Sequence, residues 1–223
     1  MKSSEGLSRE TLFGDLYATI NEHYCVDEKP LPLGQWAEST PVMLDGKAFT
    51  LDLHKYLKDV YADDHPHQVY LKAAQLGLTS LGMLRTIHSA RYRQFNGILY
   101  LFPSKTDVTD FSRGRLNPLI QGNPETIGAW VRDTDAANIK KVHNCILYFR
   151  GMKSRVGLKS VPANFIIFDE LDKAPQNAVD MALERLSHSE HQEILKLSNP
   201  TLPDYGIDSF FQQTDQRYWL LKC

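Results

Sequence analysis

Asn164-Phe165-Ile166-Ile167-Phe168-Asp169-Glu170-Leu171-Asp172 decides how this chain is read. Residues 165–168 are a continuous apolar run. That is the pattern of a strand buried on both faces of a parallel sheet, not of an alternating, half-exposed one. Adjacent acids close the run. Ligands of open α/β sheets sit at the carboxyl ends of such strands, so Asp169 and Glu170 are expected at the mouth of a site. The pairing suits nucleotide hydrolysis. The first acid holds Mg²⁺ through water, and the second orients or activates the attacking water. Such chemistry also requires a phosphate loop.

Further strands flank this one. Gln68–Ala74, Gly97–Pro103, Cys145–Arg150 and Glu193 onward to Asn199-Pro200 read as strands. Leu81–Phe95, Thr106–Leu119 and Pro175–Ser187 read as helices, the last amphipathic through Val179, Leu183 and Leu186. Strands alternating with helices predict an α/β fold with a parallel sheet from about residue 66 onward. Upstream, Leu12, Phe13, Leu16 and Ile20 have helical spacing, Lys29–Gly34 is a breaker segment, and Leu51–Tyr61 reads as a second helix.

The segment Lys72-Ala73-Ala74-Gln75-Leu76-Gly77-Leu78-Thr79-Ser80 lies between a strand and a helix. That is the place for a phosphate loop, where backbone N–H groups at a helix N-terminus cradle anionic oxygens. Gly77 permits close approach and Thr79 offers a hydroxyl to Mg²⁺. The usual GxxxxGK[ST] signature is not met: Leu78 stands where lysine is expected, and the first glycine is absent.

Composition sets the remaining bounds. The 223 residues suit one domain, with or without a small subdomain, and 42% hydrophobic with 23% charged residues is ordinary for a globular protein. No apolar stretch approaches the ~20 residues of a membrane helix, and the first residues lack a secretory signal region. Cys25, Cys145 and Cys223 have no metal-site spacing. Net charge is −2, but residues 71–168 carry 14 Lys/Arg against 5 acids. Within them residues 136–168 have no acid and contain Lys140, Lys141, Arg150, Lys153, Arg155 and Lys159. A basic centre favours phosphate-rich partners such as nucleotide or DNA.

In order, Lys-x-x-Gln-x-Gly-x-Thr-Ser, the strand ending Phe102-Pro103-Ser104, Phe-Asp-Glu-Leu-Asp and Leu-Ser-Asn-Pro-Thr resemble the N-terminal ATPase domain of the tailed-phage terminase large subunit, across roughly residues 35–223. The resemblance implies a P-loop NTPase fold of the RecA/ASCE type: a mainly parallel central sheet flanked by helices, with a mostly helical N-terminal segment. It implies a division into an adenine-side segment, 1–65, and an ATPase core, 66–223. It assigns Gln75, Gly77, Leu78, Thr79 and Ser80 to the phosphate loop and Lys72 to the phosphate-binding cation, which many members place early in the loop. Asp169 and Thr79 become the Mg²⁺-side residues, Glu170 the catalytic glutamate, and Ser198, Asn199 and Pro200 the coupling motif. Gln35 and Trp36 match an adenine-recognition position, and Arg113 and Arg115 are candidates for an arginine finger. The implied ligands are ATP and Mg²⁺. The implied partners are double-stranded DNA, copies of the chain in a ring on the portal, and the terminase small subunit. No membrane is involved, and the setting is the host cytoplasm. The family's C-terminal nuclease domain finds no room before Cys223, so no nuclease activity is expected.

Two other readings share parts of the pattern. A helicase-type ATPase also ends a buried strand in Asp-Glu, but needs a second RecA-like domain. A non-catalytic DNA-binding or assembly module with a degenerate nucleotide site is consistent with Leu78.

Overall fold

The computed structural model describes residues 30–132, 136–154 and 161–220. The expected first helix, Cys25, Arg155, Lys159 and Cys223 lie outside them. The chain divides into Met1–Leu31 and Pro32–Cys223, and the described structure belongs almost wholly to the second unit.

Helix α1 (Leu33–Ser39) begins inside the expected breaker segment, directly after Pro32. A hairpin of β1 (Met43–Leu44) and β2 (Lys47–Ala48) follows. Helix α2 (Tyr56–Ala62) occupies only the second half of the helix expected from Leu51. Then come β3 (His67–Leu71), α3 (Leu78–Tyr92), β4 (Gly97–Phe102) and α4 (Lys105–Phe111). Ser104 and Asp107 cap α4 reciprocally, side chain to backbone in both directions. A widened helical turn, Ser112–Leu116, leads into α5 (Asn117–Gly122). The rest is α6 (Ile127–Trp130), β5 (Val131–Arg132), β6 (Ile139–Val142), β7 (Cys145–Gly151), β8 (Phe165–Asp169), a tight turn at Leu171–Lys173, α7 (Gln176–Leu183), β9 (Glu193–Ser198) and α8 (Ile207–Phe211).

Seven strands form one sheet in the order β3-β9-β8-β4-β7-β6-β5. The first five are parallel, and β6 and β5 extend the sheet antiparallel. This is the expected P-loop type of mixed α/β fold, with one addition. The β5–β6 extension was not expected from the sequence, where Lys140 and Lys141 interrupt the apolar pattern of Ile139–Val142.

The apolar runs of β4 and β8 are buried throughout, and alternate residues serve opposite faces. Ile98, Tyr100, Phe102, Phe165 and Ile167 join a core with Leu81, Leu84 and Ile87 of α3 and with Leu33, Trp36 and Leu57 of α1 and α2. Leu99, Leu101, Ile166 and Phe168 join a second core with Ala178, Val179 and Ala182 of α7. Helices on both faces are what continuous apolar strands require.

Register then fixes the site. Leu71 pairs with Ser198 and Asp169 with Leu197. The carboxyl ends of β3, β9 and β8 therefore stand side by side, bringing together segments roughly 100 residues apart.

Candidate active site

The phosphate loop starts one residue beyond β3. The Lys72 N–H donates to the Ser198 carbonyl at 2.8 Å, continuing the ladder for one step. The chain then leaves the sheet three residues earlier than the expected strand end at Ala74. Gln75 and Gly77 both have left-handed backbones, with φ of 62° and 80°. Gly77 is the residue before α3, and the first intrahelical bond runs from Leu81 N to Gly77 O at 3.0 Å. The amides of Leu78, Thr79 and Ser80 precede it, so α3 starts three residues earlier than its apolar spacing predicts. These are the donors a helix N-terminus offers an anion. The Leu78 side chain is buried in the core, so only its backbone can take part.

The Lys72 ammonium lies among the acids, 2.6 Å from Asp169 Oδ1 and 2.9 Å from Glu170 Oε1, and donates to Thr79 Oγ1 at 3.1 Å. Lys72 is 8% exposed and Asp169 2%. The three oxygens converge on one buried point, and all are hard donors of the kind Mg²⁺ prefers. Among the described residues no group of three or more His, Cys, Asp or Glu side chains could hold a metal. A Mg²⁺ here would thus take Thr79 and Asp169, with phosphate oxygens and water completing its shell.

Asp169 is further held by Tyr100, whose hydroxyl donates to Oδ2 at 3.1 Å. Burial first, then the charge of Asp169, push the Tyr100 hydroxyl well above its ordinary range, so it remains a donor. Arg115 opposes this shift and is close enough to be felt there. A Cβ at Gly82 would lie 2.8 Å from Tyr100 Oη. Glycine at this point of α3 lets the phenol pass beneath the helix to Asp169. The sequence carries one signal for Tyr100: a polar handle within an otherwise apolar buried strand.

Glu170 has a left-handed backbone, φ 56°, and its N–H donates to Asp169 Oδ1 at 3.0 Å. Its side chain is half-buried and pairs with Lys173 at 2.8 Å as well as with Lys72. Burial pushes the Glu170 carboxyl up, but hydrogen bonds from Lys173 and Lys72 outweigh this and hold it below its ordinary value. It is therefore an anion at neutral pH, able to accept a proton or orient water but not to act as an acid.

The other expected residues separate. Ser198 is buried beside the loop, while Asn199 and Pro200 are exposed just beyond it. Arg113 and Arg115 are exposed on the widened turn. Gln35 is exposed on α1. Trp36 is 2% exposed, its ring closed in by His88 and Trp130, so it presents no face to a base. Two other aromatics lie beside the loop: the half-buried Tyr56, whose Oη donates to the Leu76 carbonyl at 3.3 Å, and the exposed Trp219, whose ring sits 5.7 Å from that of Tyr56. In the basic stretch, Lys140 is buried with its ammonium on the Ala136 carbonyl at 2.8 Å, and Arg150 bonds the carbonyls of Asn138 and Phe149. Lys140 is thus turned inward, Arg150 is half-buried, and Lys141 and Lys153 are exposed. Cys145 is buried, which pushes its thiol up to about 12. A cavity of about 670 Å³ lined by Asn96, Asn164 and His188 opens at the amino ends of β4 and β8, the opposite end of the sheet from the acids.

The family model of the phage terminase large subunit gpA, ATPase domain, matches residues 56–223. This chain belongs to that family. The fold agrees with the large terminase of bacteriophage HK97, with a TM-score of 0.68, 14% identity, and 81% of this chain and 40% of that one covered. It also agrees with the large terminase ATPase domain of Thermus phage P74-26, with a TM-score of 0.55, 12% identity, and 71% and 67% covered. The terminase-like chain thus spans less than half of the HK97 protein it matches. No curated protein matches it in sequence. Among the described residues no helix is long and apolar enough to cross a membrane.

Proposed function

We propose that this terminase ATPase domain hydrolyses ATP with Mg²⁺ and couples the reaction to translocation of double-stranded DNA into a procapsid. The observation that carries the proposal is the convergence of Lys72, Thr79, Asp169 and Glu170 at the neighbouring ends of β3 and β8, under the amide-rich start of α3.

The amides of Leu78–Ser80 and the Lys72 ammonium bind and orient the triphosphate. Mg²⁺, held by Thr79 and Asp169, would neutralise charge on the β- and γ-phosphates. Lys72 then leaves the carboxylates for the phosphates, which frees Glu170 to hold the attacking water in line. Lys173 stays on the second oxygen of Glu170 and fixes its direction. The half-buried Tyr56 and the exposed Trp219, rather than Trp36, would offer a stacking surface for the base, and Gln35 of the 1–65 segment stays exposed on α1. In this reading Arg113 or Arg115, both exposed, would serve a neighbouring copy in a ring on the portal, and Ser198–Pro200 would couple phosphate release to motion. DNA, the portal ring and the small subunit in the host cytoplasm complete the reading.

Glu170→Gln tests the assignment. It keeps a hydrogen-bonding side chain but removes the anion. The variant is expected to bind ATP like the parent and to lose turnover by at least about 10²-fold, within the range for a positioned base. Retained turnover would reject Glu170 as the water-orienting group.

A further inference from the structure

Asp172 has no task in the site described above, yet its buried carboxylate accepts three hydrogen bonds, as many as that of Asp169. It lies in the Leu171–Lys173 turn, two residues after Glu170, and is 7% exposed. Among the described residues no lysine, arginine or histidine forms a salt bridge with it. Its partners come from a single distant segment. Oδ2 accepts from Thr201 N at 2.8 Å and Thr201 Oγ1 at 2.9 Å, and Oδ1 accepts from Ile207 N at 2.7 Å. Its own N–H donates to Ser198 Oγ at 3.1 Å.

One carboxylate therefore pins both ends of the 201–207 loop, the far end being the first residue of α8. Gly206 is built for this approach. Its φ is +56°, and a Cβ there would lie 2.5 Å from Asp172 Oδ1. α8 in turn packs on β3, the strand feeding the phosphate loop, and on β9. Between the pinned ends the loop carries the exposed side chains of Leu202 and Tyr205. At the near end Asp172 is joined to Asp169 through the left-handed backbone of Glu170. For a residue other than glycine that conformation costs free energy, and leaving it would re-aim everything that follows.

A buried carboxylate without a cation is an expensive way to hold a loop. Its use is directional: two charge-assisted contacts lock the loop to whatever position the Glu170 backbone takes. We propose that Asp172 is a positioning residue that makes the 199–210 segment follow the state of the Glu170 site, so that nucleotide occupancy is read out at α8 and the exposed 202–205 loop. The inference rests on the nucleotide reading above.

The test is amide hydrogen exchange of the whole chain, with and without a non-hydrolysable ATP analogue plus Mg²⁺, in the parent and in Asp172→Asn. The asparagine keeps the shape but can serve only one of the two backbone donors as acceptor. In the parent, the analogue changes exchange across 199–210. In Asp172→Asn, the analogue binds within about threefold of the parent affinity, and the change at 199–210 falls by at least about fourfold. A residue that merely supports the fold would raise exchange equally with and without nucleotide, leaving the difference intact; that result overturns the inference. Loss of analogue binding by a folded Asp172→Asn also overturns it, because Asp172 would then shape the site itself. Should Asp172→Asn fail to fold, Thr201→Val removes one contact only and must reduce the nucleotide-dependent change; an undiminished change rejects the proposal. Failure of the parent to bind the analogue would overturn the nucleotide reading and the inference with it, an outcome distinct from binding without attenuation.

Discussion

Lys72→Met removes the ammonium at the centre of the site while keeping most of the side-chain volume. In the parent, Nζ lies 2.6 Å from Asp169 Oδ1, and the two side chains are 8% and 2% exposed. Without it, Asp169 keeps only the Tyr100 hydroxyl at 3.1 Å and the Glu170 N–H at 3.0 Å. Breaking a buried pair from one side strands a charge and costs about 3–5 kcal/mol. At about 2–4 °C per kcal/mol for a chain of this size, the midpoint should fall by roughly 6–20 °C. The assay is thermal and urea unfolding, each followed by circular dichroism, with Mg²⁺ and nucleotide absent. It is run as a cycle with Asp169→Asn and the double variant, because the two residues are in contact and their effects do not add. The double variant should recover most of the loss, to within about 1–2 kcal/mol of the parent, since no unpaired charge remains. A Lys72→Met loss below about 1 kcal/mol, or a double variant no better than the single, would refute the pairing on which the phosphate-switch role of Lys72 depends.

Trp219→Ala should weaken ATP binding about 10-fold while leaving tripolyphosphate binding unchanged, since base stacking contributes roughly 1–3 kcal/mol; equal loss for both ligands, or for neither, in calorimetric titration would remove Trp219 from the base site. Lys196 lies buried on β9 with its ammonium 4.1 Å from the centre of the Phe210 ring, and burial lowers it from 10.5 to about 8. Between pH 8 and 10.5 the unfolded chain binds more protons at this group than the folded one, so stability should climb through that window and fall toward neutrality. Lys196→Met should flatten the climb and be more stable at pH 7 by up to about 3 kcal/mol, offset in part by the lost ring contact; parallel stability–pH curves for the two proteins would show that the amine is not desolvated.

The legible parts of this fold are those where local pattern and tertiary role coincide. β4 and β8 read as continuous apolar runs because both faces are covered, and the acids after Phe168 fall at the sheet's carboxyl edge because the strand ends there. The resemblance singled out Lys72 where Leu78 failed the loop pattern, and its ammonium lies against Asp169 and Glu170. Other features depended on packing that no local window contains. Ile139–Val142 was not read as a strand, because a local window shows two lysines and not that Lys140 is buried with its ammonium on the Ala136 carbonyl. Trp36 looked available for stacking, but its surroundings are supplied by His88 and Trp130, 52 and 94 positions away. α3 begins at Leu78 because Gly77 takes a left-handed turn, which shifts Thr79 and Ser80 from loop into helix. Asp172 stood in the quoted motif without distinction; its weight comes from Thr201, Gly206 and Ile207, which lie 29–35 residues on.

Isothermal titration of the whole chain with ADP and with a non-hydrolysable ATP analogue, in Mg²⁺, tests most directly whether the Lys72–Thr79–Asp169–Glu170 cluster is a nucleotide site. Saturable binding near one ligand per chain is expected, abolished by Lys72→Met and retained by Glu170→Gln. No heat of binding at millimolar ligand, or binding indifferent to Lys72, would contradict it.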